Sequence, residues 1–309
     1  MNGDSPTISI ICCTHNRVQF VEQHYRALAQ SLPKSVELIY ALDHCTDGTL
    51  EFLTSVAQDN EQVTVVHNAG APGLFSCRNF AIAHARGRFI HFLDDDDAVS
   101  EGFYAAIGEA ISTGLDGDMF LTDMVLNREG EQLRRLQIID RAVVPTSIEG
   151  AATIIEGELF DFVLNGQLYF NSANALIRRS LLEQHPFHAE IRKSSDWLLY
   201  LELSHLRPLR LVHLAAIHAI YFVHASSMSV ASDKSFWNMK AFEALFQLVP
   251  PEHSHAQAVR RVFAKTLFDA GYAVRRQNKR DALRYYWRSA RLGKPMPAML
   301  AIAKLPLVW

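Results

Sequence analysis

Gly87-Arg88-Phe89-Ile90-His91-Phe92-Leu93-Asp94-Asp95-Asp96-Asp97 is the stretch on which the reading of this chain turns. A mostly apolar run that stops abruptly at four carboxylates predicts a buried strand emerging into a charged crevice. Four adjacent Asp side chains repel one another unless a cation sits among them. At the end of a buried strand, a divalent metal with oxygen ligands meets that need. A solvated acidic loop is the other reading, and the residues upstream bear on the choice.

Working back toward the start, Thr7 to Cys13 is rich in β-formers and ends in the polar turn Thr14-His15-Asn16-Arg17. Val18 to Ser31 places Phe20, Val21, Tyr25 and Leu28 on one helical face and stops before Pro33. Val36 to Leu42 reads as a second strand, ending in Asp43-His44-Cys45-Thr46-Asp47-Gly48. A helix with Leu50, Leu53 and Val56 on one face follows. Val63 to His67 is a third strand, Asn68 to Phe75 a Gly/Pro loop, and Ser76 to Ala85 a third helix. Strands alternating with helices at short intervals predict a parallel sheet covered on both faces. Ligands in such sheets sit beyond the carboxyl ends of the strands. Every unusual polar cluster so far falls at such an end.

Beyond the Asp run, Glu101 to Thr113 reads as a helix and Asp118 to Leu126 as a strand. Ile148 to Leu164 is expected to be helical, Ser172 to Ile177 extended, and Arg179 to Gln184 helical. Ser194-Ser195-Asp196-Trp197 stands where a helix begins, with Ser195 or Asp196 able to cap the run Leu198 to Leu206. Leu209 to His224 is an apolar run interrupted by His213, His218 and His224, and Ser226 to Ser229 is a small-residue loop. From Asp233 onward the chain reads as helix, broken at Pro250-Pro251, Gln277-Asn278 and Gly293 to Pro297.

Composition sets the outer bounds. With 49% hydrophobic residues in 309, the chain is globular, as one large domain or one domain with an appendage. Met1 to Pro6 is short and polar, so no signal peptide is expected. No apolar run of about 18 residues predicts a membrane span. Cys12, Cys13, Cys45 and Cys77 show no CxxC spacing, which points to reduced thiols and a cytoplasmic location. The net charge of -3 hides an asymmetry: residues 251–309 carry 12 Lys/Arg against 3 Asp/Glu, and the rest carries 18 against 30.

Taken together, these motifs resemble the family 2 glycosyltransferases of GT-A fold, an α/β class with a Rossmann-like mixed sheet, over roughly residues 6 to 230. The resemblance rests on Thr14-His15-Asn16-Arg17, Asp43 to Thr49, Arg78-Asn79 and Phe92 to Asp97, in order and each at a strand end or helix start. It implies an inverting, non-processive enzyme that moves one sugar from a nucleoside-diphosphate donor to an acceptor hydroxyl, with Mn²⁺ or Mg²⁺ as cofactor. It further implies a donor site of Thr14, Asn16, Arg17, Asp43, Arg78, Asp94 and Asp95. Asp43 would accept the uracil N–H, and Arg78 would supply a cation near the base or the diphosphate. Asp94 and Asp96 form the family's DxD pair, with Asp96 the direct metal ligand and His224 a further metal or phosphate contact. Asp97 is expected to be a solvated residue leading into the next helix. Asp196 matches the Asp of the family's Glu-Asp motif, the general base, with Ser195 in place of the Glu; its plain alternative is a helix N-cap. Leu42 and His44-Cys45 depart from the usual pattern, so uridine and thymidine donors both stay open. The Gln-x-x-Arg-Trp signature of processive synthases is missing.

The expected division is a catalytic domain over 1–232 and a basic helical region over 233–309. Arg276, Arg280, Arg284, Arg288 and Arg291 recur at helical spacing beside Leu283, Tyr285, Tyr286 and Trp287. Such a stripe suits an interfacial helix on an anionic membrane at the inner face, or a hairpin packed on the catalytic domain. Nucleic acid is a poor fit, since the rest of the chain is acidic. Expected partners are a UDP- or dTDP-sugar and a saccharide or lipid-linked acceptor, as in bacterial-type surface polysaccharide synthesis. Two competing functions are a nucleotidyltransferase and an inert nucleotide-sugar-binding module. The first needs a glycine-rich loop after the first strand, and Cys13 to Val18 has no glycine. The second needs the loss of carboxylates that are present.

Overall fold

The structure, a computed structural model, describes residues 6–128, 131, 133–224, 227, 234–293 and 295–305. Its first half follows the expected alternation. β1 (Ile8–Thr14), β2 (Val36–Leu42), β3 (Val63–His67) and β4 (Phe89–Phe92) pair in parallel in the order β3-β2-β1-β4. They are linked by α1 (Val18–Ala29), α2 (Thr49–Asp59) and α3 (Leu74–Ile82). Every residue of β1 and β2 is buried, as a sheet covered on both faces requires. Ile8, Ile10 and Cys12 face α1, α2 and the later helix α4 (Phe103–Ser112); Ile11 and Cys13 face α3 on the other side. The two-residue period of a strand thus divides the core in two.

The register of β4 is set at its foot. Glu37, buried on β2, accepts from Ser9 Oγ at 2.6 Å, Arg86 Nε at 2.8 Å and the Gly87 N–H at 3.2 Å. A Cβ at Gly87 would come within 2.4 Å of the Ser9 nitrogen, so only glycine lets the chain pass this close to β1. Phe89 then lies opposite Ile8 and Phe92 opposite Ile11. The Asp run therefore emerges beside the end of β1.

The sheet continues with β10 (Ala175–Arg178), β6 (Met119–Arg128), β11 (Leu209–Val223), β9 (Ala152–Gly157) and β8 (Ser147–Glu149). β10 is antiparallel to both β4 and β6, which makes the sheet mixed. β5 (Ala98–Val99) and β7 (Arg134–Leu136) add short pairings to β11 and β6. His91 on β4 is fully buried, with Nδ1 2.9 Å from the Tyr104 hydroxyl and Nε2 2.7 Å from the Ala173 carbonyl. Burial lowers its pKa to about 4, so the ring is neutral.

One expected helix is absent. Ile148 to Leu164 forms β8, β9 and only a short helix, α5 (Phe160–Leu164). Gly150 turns the chain at φ +59°, and the β-branched Thr153, Ile154 and Ile155 gain ladder partners on β11. The apolar pattern of that segment fits a helix face, but the open edge of β11 outweighed it. Arg179 to Gln184 is helical as expected (α6), and α7 spans Ser195–Leu206.

The last quarter is helical: α8 (Lys234–Leu248), α9 (Ala256–Val274), α10 (Lys279–Leu292) and α11 (Pro295–Lys304). Phe242 and Leu245 of α8 and Phe263 and Leu267 of α9 join the core that covers one face of the sheet. α10 lies on α9 through Ala282, Tyr286 and Ser289, whose hydroxyl donates to the Ala264 carbonyl at 2.6 Å. Arg276, Arg280, Arg284 and Arg291 are exposed, whereas Arg288 pairs with Glu243 of α8 at 2.7 Å. Among the described residues, no helix is long and apolar enough to cross a membrane. All four cysteines are free thiols.

Candidate active site

The ends of β1, β2 and β4 converge, and the polar turns after them form one cleft of about 290 Å³. Thr14, Arg17, Asp43, Asp94, Asp95 and Asp96 all line it. The Asp run is neutralised by cations and hydroxyls from those turns. Thr14 Oγ1 donates to Asp95 Oδ2 at 2.7 Å, and Arg17 reaches Asp95 Oδ1 at 2.8 Å and Asp96 Oδ2 at 3.0 Å. The Arg17 guanidinium lies over the Phe20 ring, 4.0 Å from its centroid, which fixes its direction. Burial nonetheless pushes the Asp95 carboxyl up to about 7, against the opposing pull of Arg17.

Asp96 is shared. Its Oδ2 lies 3.0 Å from His224 Nε2 as well as from Arg17, and the His224 ring stacks on Phe20. His224 directly follows the last residue of β11, so two members of the predicted metal set that lie 128 residues apart meet in space. Carboxylate oxygens with one imidazole fit a hard divalent cation such as Mn²⁺ or Mg²⁺. Among the described residues, this cleft brings no three His, Cys, Asp or Glu donor atoms within 4.8 Å of one another. A metal here would take few protein ligands and complete its shell with water and phosphate oxygen, the habit of Mg²⁺-type sites.

Asp94 turns the other way. Its Oδ1 accepts from Arg78 Nη2 at 2.7 Å, and Arg78 also reaches Ser172 Oγ at 3.3 Å. Arg78 is only 1% exposed and packed among Phe75, Phe92 and Phe187. Its charge therefore reaches the cleft chiefly through Asp94. Asp43 is buried too: Oδ1 accepts from Asn68 Nδ2 and Oδ2 from the Gly73 N–H, each at 2.9 Å. Each carboxylate oxygen has a second lone pair, so the group still has capacity to accept from a ligand. Asn16, in the left-handed region at φ 52°, accepts from the Thr46 N–H at 2.7 Å and so ties the first turn to the second.

Asp97 is not the solvated residue expected. It is buried, and its Oδ1 accepts from the Phe222 N–H at 3.0 Å, which fastens the Asp run to β11. That backbone donor comes from a strand 125 residues away and is invisible in the local sequence.

Asp196 lines a second cleft, of about 540 Å³, with Tyr169, Lys193, Trp197, Asn238 and Phe242. It does not cap α7. The cap position is Ser194, in the left-handed region and without a side-chain cap bond, and Asp196 lies in the first turn. Its Oδ1 accepts from the adjacent Trp197 N–H at 2.9 Å. Burial raises its pKa above the ordinary carboxylate range, and Arg78 opposes that shift. Ser195, where the resembled family has Glu, is buried and donates to the His188 carbonyl at 3.0 Å. The two clefts share Leu74, Asp94 and Tyr221 as common walls. Sequence reading missed Tyr169, Asn238 and Phe242; a loop residue and two residues of α8 that meet only by packing have no local signature.

The glycosyl transferase family 2 model matches residues 9–186. Among curated relatives, a GalNAc(5)-diNAcBac-PP-undecaprenol beta-1,3-glucosyltransferase of Campylobacter jejuni is 22% identical over 64% of this chain and 61% of its own length. The chain spans 30–61% of the length of four curated relatives it matches. In fold, it resembles S. aureus TarS 1-349 in complex with UDP-GlcNAc (TM-score 0.65, 17% identity, covering 97% of this chain and 85% of TarS 1-349). It likewise resembles the mannosyltransferase PcManGT of Pyrobaculum calidifontis with GDP-Man and Mn2+ (TM-score 0.55, 15% identity, covering 99% of this chain and 81% of that one). The fold is thus the GT-A type.

Proposed function

We propose that this chain, which belongs to glycosyl transferase family 2, moves a single sugar from a UDP- or dTDP-sugar to an acceptor hydroxyl with inversion at the anomeric carbon. The observation that carries this reading is the junction of the two clefts at Asp94. One cleft holds the cation-braced Asp cluster and the other holds Asp196. A donor lying in the first presents its sugar toward the second, where an acceptor hydroxyl meets a base.

The roles follow from the chemistry of each side chain. Asp43, an acceptor held rigid by Asn68 and Gly73, reads the N–H edge of a uracil or thymine ring. Arg17 and Thr14 hold Asp95 and Asp96 in place for the donor. Asp94, Asp96 and His224 would hold Mn²⁺ or Mg²⁺, which when bound screens the diphosphate and stabilises it as a leaving group. Asp196 takes the proton of the acceptor hydroxyl as its oxygen bonds to the anomeric carbon and the bond to the β-phosphate oxygen breaks. Its pKa, raised by burial and opposed by Arg78, makes it a stronger base than an exposed Asp once ionised. One displacement with one base gives inversion, in contrast to the paired carboxylates that cleave glycosides.

The aromatic walls Tyr169 and Trp197 suit the apolar faces of a saccharide, and bacterial surface glycan precursors, lipid-linked or free, are the acceptor class we favour. The Campylobacter relative, by its name, acts on such a lipid-linked saccharide. The proposed working division remains a catalytic domain over 1–232 and a basic helical region over 233–309, with the exposed Arg276, Arg280, Arg284 and Arg291 contacting anionic membrane. A panel of nucleotide sugars, with release of the free nucleotide followed in Mn²⁺, Mg²⁺ and EDTA, tests the reading. UDP- or dTDP-sugars should be turned over in metal and not in EDTA. Preference for GDP-sugars, or turnover only of a nucleoside triphosphate with a sugar phosphate, would overturn it.

A further inference from the structure

We propose a second metal site, unrelated to the acidic cleft, at His205, His253 and His255, taking Zn²⁺ or a similar imidazole-seeking cation. Each of the three offers a ligand atom, and these atoms all lie within 4.8 Å of one another, the tightest arrangement of its kind among the described residues. His205 is in the last turn of α7; His253 and His255 lie in the segment between α8 and α9. Their meeting is therefore a product of tertiary packing and not of a local repeat.

One pair of these nitrogens already stands near the spacing of two ligands on one zinc. His205 Nδ1 and His255 Nδ1 are 3.0 Å apart. Two nitrogens on one zinc at about 2.0–2.1 Å stand about 3.3 Å apart, so this pair needs to open by only a few tenths of an ångström. The rings are already held in orientation. Phe160 stacks on His255 at 4.1 Å with an interplanar angle of 12° and also packs against the His205 ring, 5.6 Å between centroids. His253 Nδ1 accepts a long 3.2 Å bond from the His255 N–H, a weak contact that its exposed ring can exchange for a metal bond. Asp161 and Glu158 lie near enough for their charges to act on His255, and a carboxylate or water would complete the shell.

Three imidazoles select zinc-type metals, whereas the carboxylates of the acidic cleft select Mg²⁺ or Mn²⁺, so the two sites are chemically separable. A metal here would pin the end of α7, whose first turn carries Asp196, to the start of α9. It would thereby fasten the C-terminal helices to the helix that positions the proposed base.

The test uses tag-free, EDTA-treated full-length protein titrated with Zn²⁺ alone, by calorimetry and by thermal melting, in wild type, Asp96→Asn and His253→Gln. His253 is exposed, so its replacement leaves the core untouched. We expect one equivalent of Zn²⁺ and a raised melting temperature in wild type and in Asp96→Asn. In His253→Gln the affinity should fall more than tenfold, since even second-sphere changes at zinc sites cost about 10–100-fold. Loss of the equivalent in Asp96→Asn would mean that zinc occupies the acidic cleft. No saturable equivalent, or unchanged binding in His253→Gln, would equally overturn the proposal and leave a metal-free histidine cluster.

Discussion

Replacing Asp196 by Asn separates a catalytic role from a structural one, because the structure predicts opposite consequences for turnover and for stability. Asn keeps the acceptor oxygen that takes the Trp197 N–H at 2.9 Å, and the residue is not the cap of α7. Its pKa is raised by burial, so the fold disfavours the charged form. A group raised in this way contributes stability below its unfolded pKa and loses it as pH rises through the folded value. Above its folded pKa the charge is thus a burden, and removing it relieves burial while giving up about 0.3–1 kcal/mol of favourable interaction with the helix N-terminus. The net change should lie within about 1 kcal/mol, a shift of roughly 2–4 °C or less in a chain of this size. Turnover should fall by roughly 10²–10⁴, the contribution of a positioned general base, which is about 2.7–5.5 kcal/mol of barrier. The wild-type rate should fall as pH drops through the raised pKa, since only the ionised carboxylate accepts the proton. Nucleotide release from a UDP-sugar, with melting curves on the same samples, reads both quantities. An Asn variant with near wild-type turnover refutes the assignment; so does a loss of activity that merely tracks a lowered melting temperature.

Asp96→Asn should lower Mn²⁺ or Mg²⁺ affinity and metal-dependent turnover, because it removes a hard charged donor without changing size; retained affinity and rate would take the metal away from Asp96. Asp43→Ala should weaken UDP binding by about 1–3 kcal/mol and, by stranding Asn68 and the Gly73 N–H, lower the melting temperature as well. Calorimetry with UDP and GDP tests the base preference, and equal affinities would sink it. His91, with its folded pKa near 4, should show no ring protonation by NMR above about pH 5. A depressed pKa contributes stability above the unfolded value and loses it as pH falls toward the folded one, a loss on the order of 3 kcal/mol between about pH 6.5 and 4. A His91 midpoint near 6.5 would contradict its burial. The exposed Arg276, Arg280, Arg284 and Arg291 should bind anionic vesicles at low salt and release them as salt rises; the absence of any vesicle binding at low salt would leave α10 as a helix packed on α9 and nothing more.

The sequence by itself determined the parallel half of the sheet, because its signals are local. Apolar runs such as Val36–Leu42 and Phe89–Phe92 have no alternative to burial, and each polar turn follows directly from its own strand. The positions of Thr14, Asp43 and Asp94 to Asp96 at neighbouring strand ends follow from that alternation alone. Tertiary structure decided which of those groups face a ligand and which face the protein. Asp97 is turned inward by a backbone donor 125 residues away, and Arg78 is sealed among three Phe rings with Ser172 as a distant partner. The segment from Ile148 became strands because β11 offered it ladder bonds, which its own apolar pattern does not encode. The second cleft likewise exists only where α7 and α8 pack beside β6 and β11, and the histidine cluster only where the α8–α9 connection meets the end of α7. A side chain's propensity is written in its neighbours along the chain, but its desolvation and its hydrogen-bond partners are set by whatever the folded chain brings against it.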